Sequence, residues 1–396
     1  MPVTLEDLVQ QASRATQAVS VARELALAPT LEKIPPMIGS AELQGICGIS
    51  PHKLKSMAEA GKLPASKKSS SLHARWEFTL AELQVWAKAL RKKRMRPEGA
   101  DAAVVTVANF KGGVSKTTSA VTLAQGLSMR GHRVLFIDLD PQGSATALFA
   151  LQPGVEVDDD TTALGVFEGE ETSIIPAVRE TYWPGVDLVA ASLSLYGAEF
   201  ALPARQKGDP GFEFWTCLDL ALDEAREHYD VIVIDTPPSL SYTTINALHA
   251  SDGVLIPLPP SMLDFASSAQ FWNLFSDLCQ QLYKGPHKKE FSFIDVLLAK
   301  VDAGDSATPQ IRQFIAETYA GRVLPIEIPK TAATTNASTA LGTIYDAGAK
   351  AAVGPKTYAR ARLAYDAYVE LIEDRLQTVW QSQLDLVRNF GKKSHG

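Results

Sequence analysis

Lysines, glycines and hydroxyl side chains are concentrated in residues 109–118, which read Asn-Phe-Lys-Gly-Gly-Val-Ser-Lys-Thr-Thr. Glycines allow backbone N–H groups to converge on an anion, and the N-terminus of a following helix adds partial positive charge there. An apolar segment precedes these residues and an amphipathic segment follows up to Arg130. The pattern therefore predicts a phosphate-binding loop between a strand and a helix.

Acidic residues close two other apolar segments. Residues 134–142 read Val-Leu-Phe-Ile-Asp-Leu-Asp-Pro-Gln and contain Asp138 and Asp140. Residues 229–238 read Tyr-Asp-Val-Ile-Val-Ile-Asp-Thr-Pro-Pro, and their apolar run ends at Asp235. Ligands of open α/β sheets bind at the carboxyl ends of the strands, and carboxylate oxygens there suit Mg²⁺. We therefore expect these acids to face the same crevice as the loop.

Short apolar segments alternate with helical segments from residue 98 onwards. This order is typical of an α/β fold with a doubly wound, mostly parallel sheet. The predicted strands are residues 103–108, 133–139, 186–190, 231–235, 253–258, 293–301 and 323–328.

A long helix is predicted at the front of the chain, over residues 5–28, because this segment lacks Gly and Pro and is rich in Ala, Gln, Arg and Glu. Its narrow apolar face suits pairing with a second chain, and it equally suits packing on its own domain. The residues of this face are Leu5, Leu8, Val9, Ala12, Val19 and Ala22.

Two short helices separated by Gly48 follow, which is a helix-turn-helix pattern. Ser40 and Ser50 are expected to cap their N-termini, and Pro51 occupies the favoured first helical position. The second helix, residues 50–60, presents the side chains that could reach a major groove and its phosphates. The candidate DNA-binding residues are His52, Lys53, Lys55 and Ser56.

A polar Ser/Lys stretch up to Ser71 and a strand at residues 75–79 follow Gly61, as in a wing. Thr79 and Glu82 form a capping-box pattern for a third helix over residues 80–94. Residues 40–94 as a whole resemble winged helix-turn-helix domains of the MerR-like kind.

Basic charge is concentrated at the front of the chain. The first 100 residues hold 15 Lys and Arg against 9 Asp and Glu, a net charge of +6, whereas the remaining 296 hold 23 against 36, a net charge of −13. This asymmetry favours an N-terminal contact with nucleic acid, although residues 91–96 also fit a basic helix end and hinge. We predict three regions: an N-terminal helix (1–36), a winged helix-turn-helix domain (37–97) and an α/β domain with the phosphate-binding loop and C-terminal helices (98–396).

Composition excludes several classes of protein. The three cysteines, Cys47, Cys217 and Cys279, are far apart and do not have the spacing of a metal site or a disulfide framework. No run of 18 apolar residues occurs, and residues 1–6 lack the pattern of a secretory signal. A cytoplasmic protein is expected.

The strict phosphate-loop pattern G-x-x-x-x-G-K-[ST] is not met, because Phe110 and Ser115 stand where it requires glycine. The loop matches the deviant Walker form K-G-G-x-x-K-T, in which Lys111 precedes the two glycines. With the later Asp-Leu-Asp-Pro-Gln and Asp-Thr-Pro-Pro segments in order, residues 103–365 resemble the ParA/MinD family of ATPases. Ser115 is similar to the variant in longer partition ATPases that carry N-terminal DNA-binding domains.

The resemblance implies ATP and Mg²⁺ as cofactors and assigns roles by position. Lys116 binds the β and γ phosphates, Lys111 reaches the phosphates of a partner subunit, and Asp140 positions the attacking water. Thr117 and Asp235 hold Mg²⁺, with Asp138 near the metal. The nucleotide-binding set is Lys111, Gly112, Gly113, Val114, Ser115, Lys116, Thr117 and Thr118, together with Pro329, which resembles a residue flanking the adenine.

The implied function is ATP-dependent DNA partition by a nucleoid-associated homodimer that a ParB-like protein stimulates and that represses its own operon. Non-specific DNA contact is expected from basic residues of the ATPase region: Lys330, Lys356, Arg360 and Arg362. One alternative is a repressor for which nucleotide is only a ligand. Another is a MinD-like membrane-cycling ATPase, since residues 380–393 are mildly amphipathic, but Asp385 and several Gln argue against membrane binding.

Overall fold

The computed structural model describes residues 3–27, 32–64, 67–68, 76–283, 289–302, 304, 308–332, 341–351 and 353–393. Its centre is an eight-stranded sheet. The strands are β4 (Ala103–Val107), β5 (Val134–Asp138), β6 (Arg179–Glu180), β7 (Val186–Val189), β8 (Val231–Asp235), β9 (Gly253–Leu258), β10 (Phe293–Val301) and β11 (Val323–Pro329). Their order is β11-β10-β9-β4-β8-β5-β7-β6, and the pairs are parallel except for β6 with β7. All seven predicted strands are confirmed, and the short edge strand β6 was not predicted.

Both faces of the sheet are covered. Along β4, Val105 and Val107 belong to one apolar core, whereas Val104 belongs to the core on the opposite face. Such a strand is apolar at every position, which is why its sequence shows no alternation. The covering helices are α5 (Lys116–Met129), α6 (Ser144–Leu148), α7 (Leu164–Glu168), α8 (Ala198–Gly208), α9 (Cys217–Ala221), α10 (Asp223–His228), α11 (Tyr242–Ala250), α12 (Met262–Leu282), α13 (Thr308–Thr318) and α14 (Pro355–Lys393).

Between α1 (Leu5–Leu27) and this fold lie three further helices and a small antiparallel sheet: β1 (Ile38–Gly39), α2 (Ser40–Cys47), α3 (Pro51–Glu59), β2 (Lys67–Lys68), β3 (Trp76–Phe78) and α4 (Leu80–Leu90). Ser50 caps α3 by accepting a hydrogen bond from the Lys53 N–H, and Thr79 and Glu82 form the capping box of α4, as predicted. Ser40 is not a cap, because Gly39 occupies that position and Ser40 is already helical. The rest of the predicted wing, residues 65–66 and 69–75, lies outside the described residues.

Helix α4 ends at Leu90, earlier than predicted, and a 3₁₀ turn (Lys92–Arg94) follows. Arg91, which follows α4, donates two hydrogen bonds of 2.8 and 2.7 Å from its guanidinium to the carboxylate of Glu373 on α14. Phe78 and Trp86 belong to the same apolar core as Leu123 of α5. The helix-turn-helix region is therefore packed against the helices of the large sheet.

Helix α1 (Leu5–Leu27) contacts the rest of the chain near its C-terminal end. Arg23 forms an ion pair of 2.6 Å with Glu156, and its guanidinium donates to the Ala150 carbonyl. Its large apolar side chains Leu5, Leu8, Val9 and Val19 are all more than half exposed. In the described residues this apolar face is therefore not packed on its own domain, which was one of the two predicted alternatives. No helix in the described part of the chain is long and apolar enough to cross a membrane.

Candidate functional site

The loop between β4 and α5 turns through left-handed backbone. Gly113 has φ +75° and Ser115, the residue before α5, has φ +77°. A residue with a Cβ pays about 1–2 kcal/mol for this conformation. Ser115, where the strict phosphate-loop pattern has glycine, therefore holds backbone strain at the start of α5.

Lys116, the first residue of α5, lies inside the loop. Its side chain is buried, and its ammonium donates a 2.9 Å hydrogen bond to the Lys111 carbonyl across the turn. Burial lowers the pKa of Lys116, and the charges of Asp235 and Asp140 oppose that shift. The amine is therefore held where a phosphate group enclosed by the loop would meet it.

Asp235, at the end of β8, is fully buried, and neither of its carboxylate oxygens has a hydrogen-bond partner within the described residues. Burial, and then the charge of Asp138, raises the pKa of Asp235 well above its usual value, although the nearby Thr117 hydroxyl and Lys116 ammonium oppose this shift. A buried carboxylate without a partner is costly unless a cation compensates it. Carboxylate oxygens are ligands that Mg²⁺ prefers, so this residue fits the metal that the sequence implies.

Asp138 is paired with Asp235 in the register of β5 and β8. One of its carboxylate oxygens accepts hydrogen bonds from the N–H and hydroxyl of Thr146 at 2.9 and 2.8 Å, and the other accepts from the Asp140 N–H at 3.1 Å. Burial raises the pKa of Asp138 to about 7. Its orientation is therefore set by the start of α6 and by the loop that carries Asp140.

Lys116 borders a cavity of about 780 Å³, whereas Asp138 and Asp235 are fully buried and do not line it. Thr117, Thr118 and Asp140 line it on the side of the loop, and Pro329 and Lys330 line it at the end of β11. Pockets of this size hold small ligands and cofactors. The predicted residues Gly112, Gly113, Ser115 and Lys116 line the same cavity, whereas Val114 is buried behind the loop.

Lys111 is turned toward α12. Its ammonium lies 2.5 Å from the Asp264 carboxylate, and the neighbouring Phe110 ring packs on Phe271 with centroids 4.6 Å apart. The lysine that the sequence assigned to a partner subunit is thus ion-paired within its own chain.

Lys300 is a residue of the cavity that sequence reasoning missed. Its ammonium donates a 2.6 Å hydrogen bond to the Gly113 carbonyl. The signal that could have found it was a lysine within an apolar strand segment, residues 293–301.

Seven of the eight predicted DNA-binding residues fall into three groups. His52, Lys53, Lys55 and Ser56 are exposed together on α3. Lys356 and Arg360 are exposed on the first turns of α14, whereas Lys330 lies at the cavity and 3.5 Å from Asp302.

Arg362 does not belong with them. Its guanidinium is 2.5 Å from Glu42 and 3.1 Å from Asp366, and it stacks on the Tyr345 ring at 4.2 Å. Because its donors face these protein groups and its side chain is largely buried, the assignment of Arg362 to DNA is withdrawn.

The strand, loop and helix order and the acids at the strand ends define a nucleoside triphosphatase of the phosphate-loop class. Residues 102–285 match the model of a family described as an AAA domain. A relative from Rhizobium rhizogenes, described as a replication protein A, is 32% identical over 366 residues, which cover 89% of each chain. The chromosome partitioning protein ParA of Caulobacter vibrioides is 30% identical over 229 residues, 57% of this chain and 80% of the relative.

A solved structure named cobyrinic acid a,c-diamide synthase, from Mycobacterium smegmatis, has a TM-score of 0.53 and 28% identity. The match covers 68% of this chain and 93% of that one, and that structure holds an ATP analogue and magnesium. This chain belongs to the ParA-type family of partition ATPases.

Proposed function

We propose that this protein binds ATP with Mg²⁺ in the 780 Å³ cavity, hydrolyses it, and uses the nucleotide state to control DNA binding during partition. The observation that carries the proposal is Asp235, a fully buried carboxylate without a hydrogen-bond partner among the described residues. It ends β8 beside Val107, the last residue of the strand that leads into the phosphate loop. The ATP analogue and magnesium in the similar solved structure support it.

Mg²⁺, when bound, would supply positive charge that neutralises the phosphate oxygens. Asp235 and Thr117 would hold it, and Asp138 would orient its surroundings from a position fixed by Thr146. Because phosphoryl transfer needs little covalent help, the remaining task of the protein is positioning.

Lys116 and the loop N–H groups bind the β and γ phosphates, and Asp140 orients the attacking water. Asp140 is suited to this because it lines the cavity and accepts a hydrogen bond from the Gln142 N–H, which fixes its carboxylate. Pro329 borders the adenine at the far end of the cavity.

The proposed active form is a homodimer in which Lys111 reaches the phosphates of the partner subunit. ATP would favour this form, because only a bound triphosphate gives Lys111 an anion to reach across the interface. The exposed apolar face of α1 supports a second contact between subunits.

Two DNA contacts are proposed. The exposed residues of α3 would read an operator and repress the operon, and Lys356 and Arg360 would bind DNA without sequence preference. Such binding would place the protein on the nucleoid, and a ParB-like partner would release it by stimulating hydrolysis. The limits at residues 36 and 97 remain the proposed domain boundaries.

Nucleotide titration and turnover of matched variants test the chemistry. Lys116→Ala should abolish ATP binding in calorimetry, because the central cation of the site is lost. Asp140→Ala should bind ATP normally and stop hydrolysis, and Asp235→Asn should lose the Mg²⁺ dependence of binding. Asp277→Asn, an exposed acid on α12, is the control that should change nothing. Wild-type turnover by the Asp140 variant would show that another group positions the water.

A second candidate is a nucleotide-responsive repressor with incidental hydrolysis. The packing of the helix-turn-helix region on α5 and α14 favours it, because nucleotide binding at α5 could then act on α3. ATPase rates with and without DNA and the ParB-like protein separate the two, since a partition ATPase is stimulated and a repressor is not.

A further inference from the structure

Lys300 stands in an unusual backbone conformation near the end of β10. It is the exposed residue of a strand whose other members are buried or half-buried, and its φ is +53°. The left-handed region is unfavourable for a residue with a Cβ. Strained residues of this kind occur most often at functional sites, where the surrounding structure holds them in place.

The pairing of β10 with β11 is irregular at this point. Leu298 pairs with Glu327 and Val301 pairs with Pro329, so three steps along β10 span two along β11. This is a β-bulge, and bulges next to active sites re-aim a side chain. Here the bulge and the left-handed residue together turn Lys300 toward the phosphate loop.

The side chain reaches the loop and the cavity at once. Its ammonium donates to the Gly113 carbonyl at 2.6 Å, and Lys300 lines the cavity with Lys116 and Thr117. An ammonium has three N–H donors. Within the described residues Gly113 takes one of them, which leaves donors for an anion in the cavity.

We infer that Lys300 is a phosphate-binding residue of the nucleotide site, a cation that approaches from β10 while Lys116 approaches from α5. The inference rests on the proposed function, because it requires a nucleotide in this cavity. It goes beyond it by assigning a binding role to a residue outside the loop and the acidic segments. The competing view is that Lys300 only braces the loop through Gly113.

Charge and hydrogen bonding can be separated by two substitutions in the full chain. Lys300→Arg keeps the charge and donors, whereas Lys300→Gln keeps a donor for Gly113 and loses the charge. Calorimetric titration with Mg²⁺ and ATPγS should give an affinity within about threefold of wild type for Arg. Gln should bind about tenfold more weakly, and this difference should shrink as salt rises. Equal affinity of the Gln variant and wild type would leave the loop brace as the explanation and overturn the inference.

Stability and affinity should also come apart. Lys300→Ala and Lys300→Gly both remove the amine and should lose affinity equally, but the Gly variant should melt at a higher temperature because glycine accepts φ +53° without strain. Ala150→Gly, at φ +68° outside the cavity, is the control that relieves strain with unchanged affinity. If affinity followed melting temperature across these variants, the role would be structural and the inference would fail. If wild type itself bound no nucleotide, the proposed function would fail with it.

Discussion

The ammonium of Lys111 lies 2.5 Å from the carboxylate of Asp264, so the lysine that precedes the loop glycines is bound to the first turn of α12 in its own chain. Asp264 is held there, because its N–H donates to the hydroxyl of Ser261, the cap of α12. The N-terminus of a helix also favours a negative charge. Lys111 must leave this partner before it can reach another subunit.

Asp264→Asn should therefore lower the ATP concentration at which dimers form. A partly exposed ion pair contributes about 0–1 kcal/mol, so the expected shift is at most about fivefold. Sedimentation velocity at graded ATPγS concentrations measures it, with Asp277→Asn as the control on the same helix. Lys111→Ala should bind ATP as a monomer and form no ATP dimer. A weaker dimer of the Asn variant would mean that Asp264 positions Lys111 for the interface instead of restraining it.

Glu373 should make stability depend on acid pH. Burial alone would raise its pKa, but hydrogen bonds and charges from His132 and Arg91 lower it to about 2. A carboxyl group whose folded pKa is depressed stabilises the fold above its unfolded pKa and loses this contribution as pH falls through its folded pKa. The loss should amount to about 3 kcal/mol between about pH 4.5 and pH 2.

Guanidinium unfolding of wild type and Glu373→Gln across this range checks the prediction. The Gln variant should be less stable at pH 7 by about 3 kcal/mol or more, because the buried Arg91 and His132 lose their acid. Its stability should also fall less steeply with acid. Parallel curves for the two proteins would mean that Glu373 does not titrate differently on folding.

Ser115→Gly should stabilise the apo protein. Glycine accepts φ +77° without the strain that serine bears, and this gain exceeds the entropy that glycine loses on folding, so we expect about 0.5–1 kcal/mol. Ser382→Gly, the same exchange at an exposed helical position of α14, should instead cost about 0.5 kcal/mol. Denaturant midpoints with unchanged slopes measure both, and destabilisation by Ser115→Gly would show that the serine hydroxyl stabilises the loop.

The two proposed DNA contacts should respond to different substitutions. Lys53→Ala with Lys55→Ala should weaken binding to DNA from the upstream region of its own gene. Lys356→Ala with Arg360→Ala should weaken ATP-dependent binding to random DNA by about tenfold at low salt, and should reduce the salt slope by about one for each phosphate that is no longer neutralised. Filter binding on both DNA types gives these values, with Lys207→Ala as a control that removes one exposed positive charge elsewhere. An equal decrease of both activities with either pair would merge the two contacts into one.

The sheet and the phosphate loop could be predicted because their signals are local. A strand that is buried on both faces is a continuous apolar run, and the acids that end β5 and β8 mark the strand ends directly. The α4 capping box was predicted for the same reason, since its two residues are three positions apart. Ser40 failed as a cap because Gly39, one residue earlier, already has the extended backbone of that position.

Other features depend on residues that are distant in sequence. Arg362 looked like a free basic residue, and only folding brings Glu42, 320 residues away, to its guanidinium. Lys300 faces the cavity because of a bulge in the pairing of β10 with β11. No local sequence pattern predicts that bulge. The sequence alone determined which groups can bind phosphate and metal, because hydrophobic periodicity and residue type specify a strand, a loop or a helix within a few positions. The tertiary structure decided which charged side chains form ion pairs within the fold and which face the cavity, because ion pairs and burial depend on contacts between residues that are distant in sequence.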